Sequence, residues 1–291
     1  MLNYGLAAAV IAMLLIASDS IVSKYLLKRF SIRAYAVMIL AIGVVPMLIA
    51  ELLIGGSYSI SANLLTIALG GIFLAIGYVF YYISIFREQV SKVIIFSNLQ
   101  TLIVFVFGIL FLGENVLPIP LIGALLIFIG SSIGLYKKGL KIEHSLLPAV
   151  FANVSWGVYW IFMALSITTS NYIMPILLAR ALASVIMFIY YVSGRSSMPI
   201  LSKSNNRRSS KQYLFAVSVI LVLLAATIDS GINIAFSLAI SLAYAALGSA
   251  VISIAPILTA VMGRIAFKDR LNTFQKAGLI LVVLGAVFIA V

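Results

Sequence analysis

Apolar residues run along this chain in blocks of about twenty, the length that crosses roughly 30 Å of hydrocarbon as a helix. Short clusters of Gly, Pro, Asn, Lys and Arg separate the blocks. The pattern predicts ten helices, over 4–27, 34–54, 62–85, 91–112, 118–136, 146–168, 172–193, 213–240, 247–267 and 273–291. Turn and helix-stop signals mark the breaks: Gly55-Gly56, Pro118 and Pro120, Lys137-Lys138-Gly139, and Asn171 ahead of Pro175. The one long connector, between Ser193 and Gln212, is rich in Ser, Asn, Lys and Arg and reads as a flexible, solvated link.

The polar positions alternate in charge from loop to loop. Lys28, Arg29 and Arg33 follow the first helix, Arg87 and Lys92 the third, and Lys137, Lys138 and Lys141 the fifth. Arg195, Lys203, Arg207, Arg208 and Lys211 follow the seventh, and Lys268 and Arg270 the ninth. The opposite loops and both termini carry no Lys or Arg. By the positive-inside rule the basic loops are cytoplasmic and both termini external. A missed or invented helix would scramble this alternation, so it also checks the span count. The first apolar block precedes its basic residues, the reverse of a signal peptide, and is expected to be retained.

The stretch Ala255–Gly285 has a counterpart earlier in the chain. Shifting it back by 155 residues sets Asp269 on Glu114, Gly278 on Gly123 and Gly285 on Gly130, while Pro256 falls on Thr101. The chain therefore reads as two copies of one unit, 1–140 and 141–291, forming one membrane domain. Five helices per copy is an odd number, so the second copy enters from the opposite face. Inverted repeats of this kind recur in secondary transporters with substrate bound near the midplane.

These residues resemble the ten-helix, EamA-type branch of the drug/metabolite transporter superfamily. The tails match through Pro256, Asp269, Gly278 and Gly285 in the second copy, and Gly113-Glu114, Gly123 and Gly130 in the first. The heads match unequally. Trp156-Gly157 and Arg180 carry the second copy, and Lys24 carries the first, where Ile16-Ala17 stands in place of Trp-Gly and no arginine corresponds. The resemblance implies an all-α integral membrane protein of ten helices in two inverted five-helix repeats. It also implies a metabolite permease whose cavity is formed by helices 1, 3, 4, 6, 8 and 9.

Composition agrees with a membrane protein. Hydrophobic residues make up 64% and charged ones 9%, against about 25% charged in soluble domains. The net charge of +12 sits in loops, so the anionic partner expected is the lipid surface rather than nucleic acid. There is no cysteine for a disulfide or thiolate. The lone His144 lies in a basic loop without clustered ligands, so no metal site, cofactor or hydrolytic chemistry is expected. The expectation is a monomeric, multi-pass plasma-membrane carrier that is not an enzyme. A channel, or a lipid or lysolipid translocator on the same fold, is the rival reading.

Three ionisable groups stand well inside apolar blocks: Asp19, Arg180 and Asp229. Such residues face a bundle interior or a wet cavity because exposure to lipid is costly. Lys24, Arg264 and Lys276 lie at helix ends and can snorkel. Two readings stay open: Arg180 pairs with one Asp as a structural bridge between halves, or Asp19 or Asp229 binds a substrate amine or takes up a proton. Helical spacing groups further candidates for substrate binding: Tyr78 and Tyr82 with Tyr81, Asn98 with Thr101, Asn153 with Trp156 and Trp160, Asp229 with Asn233 and Phe236, and Ser253 near Pro256. Glu51, Glu88 and Glu143, at helix ends or in loops, need no special role. Glu114 and Asp269 are expected to cap or position the helix that follows each.

Overall fold

The computed structural model describes residues 2–57, 64–111, 118–134, 136–137, 141–168, 170–194, 208–242 and 255–290. Glu114, Ser253 and the connector cations Arg195, Lys203 and Arg207 lie outside the described residues. The helices are α1 Leu2–Leu26, α2 Ile32–Ile54, α3 Leu64–Arg87, α4 Val90–Val93, α5 Asn98–Phe111 and α6 Pro118–Gly134. They continue with α7 Leu147–Ala164, α8 Met174–Ser193, α9 Arg208–Leu242, α10 Ala255–Phe267 and α11 Thr273–Ala290. Among the described residues, seven segments are long and apolar enough to cross a membrane, and Leu121–Gly134, Leu258–Phe267 and Thr273–Gly285 are shorter apolar helices.

Local chemistry sets the ends. The Ser31 hydroxyl accepts from Ala34 N–H at the start of α2. Pro residues open α7 and α8 in their first turn. At α11 the Asn272 side chain accepts from Gln275 N–H at 2.8 Å and Gln275 returns the bond at 3.0 Å, a reciprocal capping box.

Three expectations need correction. The single helix expected over 91–112 is interrupted: a 3-10 turn, Ile94–Phe96, separates α4 from α5. The Ser97 hydroxyl bonds back to Ile94 O at 2.9 Å, which competes with regular helix pairing at this point. The eighth helix begins at Arg208 rather than 213, because elongating an existing helix by a turn into water needs no new nucleus. After α6, Tyr136–Lys137 pairs antiparallel with Lys141–Ile142, a two-residue ladder where the last residue of a helix and a loop were expected.

The copies interleave. α6 packs on α11, α1 on α9, α3 on α7, and α2 on both α8 and α9, so each of these contacts joins the first copy to the second. The α6–α11 seam is a backbone contact: a Cβ on Gly278 would stand 2.5 Å from Gly130 O, and one on Gly285 2.5 Å from Gly123 O. Since the repeat sets Gly278 on Gly123 and Gly285 on Gly130, exchanging the copies turns one contact into the other. That is the signature of a pseudo-twofold between inverted repeats. The outside is apolar, with Leu52, Leu53, Leu65 and Ile265 widely exposed, whereas Arg180, Tyr35, Tyr82 and Tyr159 are fully buried. An apolar exterior around a polar interior belongs to a bundle solvated by lipid.

Candidate substrate site

The buried polar groups converge where α1, α3, α7 and α9 meet the broken α4–α5 segment. Arg180 on α8 is 0% exposed and pairs with Asp229 on α9, Nη1 to Oδ2 at 2.6 Å. Its remaining donors reach α2, with Nε to Leu40 O at 3.1 Å and Nη2 to Ile39 O at 2.6 Å. Gly43 makes this possible, because a Cβ there would stand 2.1 Å from Nη2. The ion pair itself lies within the second copy. What bridges the halves is the guanidinium on the α2 carbonyls. Ser230 adds a bond to Gly43 O at 2.8 Å.

Asp229 is satisfied from a second side, since the Tyr78 hydroxyl donates to Oδ1 at 2.6 Å. Asp19 on α1 is equally buried, at 6% exposure for each acid. Its side-chain partner among the described residues is Ser23, at 3.4 Å to each oxygen. The nearby hydroxyls are engaged elsewhere: Ser23 bonds Tyr35 and Ser20 bonds Tyr81, both at 2.9 Å.

Asp19 and Asp229 line one cavity, in which about 90 Å³ is open to the centres of water-sized groups. That is room for several waters or part of a small organic molecule. Tyr78, Trp156, Trp160 and Asn233 also line it, so six of the predicted binding residues are brought together. Tyr82 stands behind the wall, its ring 4.9 Å from Tyr35 and 5.6 Å from Tyr78. Asn98 is buried in the first turn of α5, outside the lining. Sequence reasoning missed Ser97 and Gln100, which enter the wall because the helix is broken at 94–97. Irregular backbone at membrane depth is tolerated where protein buries it or a wet cavity meets it, and breaks of this kind mark transporter sites.

Aromatic rings cover the remaining wall. Tyr81 and Trp156 have centroids 4.8 Å apart, and Trp160 meets Phe236 edge-on at 4.1 Å. Asn233 is fixed by Asp229 O at 2.9 Å and by the Tyr159 hydroxyl at 3.4 Å. Three buried atoms of lining residues have no hydrogen-bond partner among the described residues; Asp229 Oδ2 is met by the Arg180 ion pair, which leaves two, Asn153 Oδ1 and Trp156 Nε1. Buried polar groups are nearly always paired, so these two mark where a bound molecule or water completes the site.

One end of the bundle is sealed by contacts between the copies. Asp269 Oδ2 accepts from Ser91 N–H at 3.0 Å, the Ser91 hydroxyl donates to Ala260 O at 3.2 Å, and Arg270 N–H donates to Gln89 Oε1 at 2.9 Å. Asp269 thus caps α4 of the other copy rather than the helix that follows it. Lys24 does not snorkel outward. Its ammonium donates to Ile85 O and to Glu88 O, closing the C-terminus of α3. Glu143, for which no role was expected, binds Lys92 at 2.7 Å and Gln275 at 2.9 Å and so ties the junction of the copies to both.

The EamA-like transporter family matches residues 3–135 and again 145–291, nearly the whole chain in two repeats. The chain belongs to this family. As an EamA-like transporter it is a member of the drug/metabolite transporter superfamily and an all-α, multi-pass membrane protein. Among solved structures, 26 chains match. One crystal structure shares 16% identity with a TM-score of 0.66, covering 99% of this transporter and 96% of its own chain, a likeness of fold alone. No curated protein matches it in sequence.

Proposed function

We propose that this EamA-like transporter is a secondary carrier that moves a small organic metabolite, an amino acid or related amphipathic amine, across the plasma membrane by alternating access. The halves rock about the cavity between α1, α3, α7 and α9, and Asp19 binds either the substrate ammonium or a proton. Both termini lie outside the cell in this reading, which the alternation of the basic loops supports.

One observation carries this reading. Two buried carboxylates face one buried guanidinium, so with both acids ionised the cluster keeps one uncompensated negative charge. Asp229 has Arg180 and Tyr78, whereas Asp19 has one long contact to Ser23. An isolated buried carboxylate is costly, and it is relieved by protonation or by a cation. The rings of Tyr81 and Trp156 suit an ammonium's neighbourhood, and Asn153 Oδ1 supplies a second acceptor. Arg180, Asp229, Tyr35, Tyr78, Tyr81 and Tyr82 are the titratable groups around Asp19.

A thermal-shift screen of amino acids and organic amines identifies the ligand, since binding to the native state raises the melting temperature. Counterflow in proteoliposomes preloaded with that ligand then tests the mechanism. A carrier shows trans-stimulation by unlabelled ligand; flux without it is the behaviour of a channel and overturns the reading.

A further inference from the structure

A second recess opens at the sealed, basic end, where about 600 Å³ is open to the centres of water-sized groups. Its cations are Lys24, Lys28 and Arg87 from the first copy and Lys268 from the second. Its acids are Glu88 and Asp269. Lys24 is occupied by the Ile85 and Glu88 carbonyls, Asp269 by Ser91 N–H, and Glu88 stands 3.5 Å from Lys92. Lys28 lies over the Phe267 ring at 5.2 Å. Among the described residues the side chains of Lys28, Arg87 and Lys268 have no acidic partner.

Three cations without an acidic partner, at or just beyond the C-terminal ends of α1, α3 and α10, therefore surround one opening. Lys268 is held there by the backbone, in the left-handed region at φ 58°, with its N–H on Arg264 O at 3.1 Å. Like charges gathered in this way repel unless an anion joins them, and a guanidinium with ammonium groups suits a phosphate. Phe86, next to Arg87 in sequence, and Ile265, next to the lining residue Ala266, are 53% and 77% exposed, so the helix ends that carry the cations also present apolar surface for acyl chains. We propose that this recess binds the phosphate of an anionic phospholipid headgroup, which joins Lys28 and Arg87 of the first repeat to Lys268 of the second across the sealed seam.

The test uses the full chain in neutral detergent, titrated with dioctanoyl phosphatidylglycerol, dioctanoyl phosphatidylcholine or inorganic phosphate at matched ionic strength, with the melting temperature as readout. The expected result is a saturable rise with phosphatidylglycerol alone. Arg87→Gln and Lys268→Gln each weaken its apparent affinity about fivefold, while Lys276→Gln, an exposed cation on α11 away from the recess, leaves it unchanged. Equal stabilisation by phosphatidylcholine overturns the site. The same rise with inorganic phosphate overturns the lipid as its source, and an unchanged affinity in both recess variants overturns the residues. Should a variant not fold, native mass spectrometry of the wild type in an equimolar mixture of the two lipids decides: preferential retention of phosphatidylglycerol supports the site, and equal retention overturns it.

Discussion

Asp229 and Asp19 are the same side chain, equally buried, lining one cavity from the packed helices α9 and α1, and their surroundings differ throughout. Asp229 has a guanidinium at 2.6 Å and a phenol at 2.6 Å, and through Arg180 it is fastened to the α2 backbone. Asp19 has a serine at 3.4 Å. A charge with such partners is part of the frame and is expensive to disturb; a charge without them is available for exchange. The bundle thus separates a firmly paired acid from a weakly paired one, although the sequence presents the two alike.

The largest effect is expected at Arg180. Arg180→Ala leaves Asp229 buried and unpaired, a loss of about 3–5 kcal/mol, read as a fall in melting temperature in detergent. A loss below about 1 kcal/mol would remove the distinction between the acids. Tyr78→Phe deletes one hydrogen bond to a charged group and should cost about 1.5–3 kcal/mol by the same measurement. Gly43→Val keeps both charges but pushes the guanidinium off the α2 carbonyls, for about 1–3 kcal/mol of overpacking. Combined with Arg180→Ala, its cost should be clearly less than additive, because both act on one contact; full additivity would show that the α2 seat is not shared. Asp19→Asn should change stability by under about 1 kcal/mol or raise it, since it removes a poorly solvated charge. A loss as large as that of Arg180→Ala would mean Asp19 is structural too.

Much of the frame was legible in the sequence because lipid imposes simple rules. Hydrophobic length, the alternation of Lys and Arg, and the spacing of Gly123, Gly130, Gly278 and Gly285 are local or periodic signals. Asp19, Asp229 and Arg180 stood out because charge inside an apolar block is rare. Partner choice was not legible: whether Arg180 takes Asp19 or Asp229 depends on how α8 and α9 cross, and no spacing along the chain encodes that. The interruption at 94–97 carries no Pro or Gly, and its cause, Ser97 bonding back to Ile94, shows only once the helix is built. Glu143 and Asp269 looked like ordinary loop acids because their partners, Lys92, Gln275 and Ser91, lie on distant segments.

The most direct test is the pH dependence of ligand binding in the wild type and in Asp19→Asn, using the amine or amino acid found by thermal shift. If Asp19 exchanges a proton for an ammonium, wild-type affinity falls as pH is lowered, because the two compete for one carboxylate. Asp19→Asn then binds at least about tenfold more weakly, with the pH dependence lost and the fold intact. Undiminished affinity in Asp19→Asn, with the wild-type pH profile retained, would contradict the account.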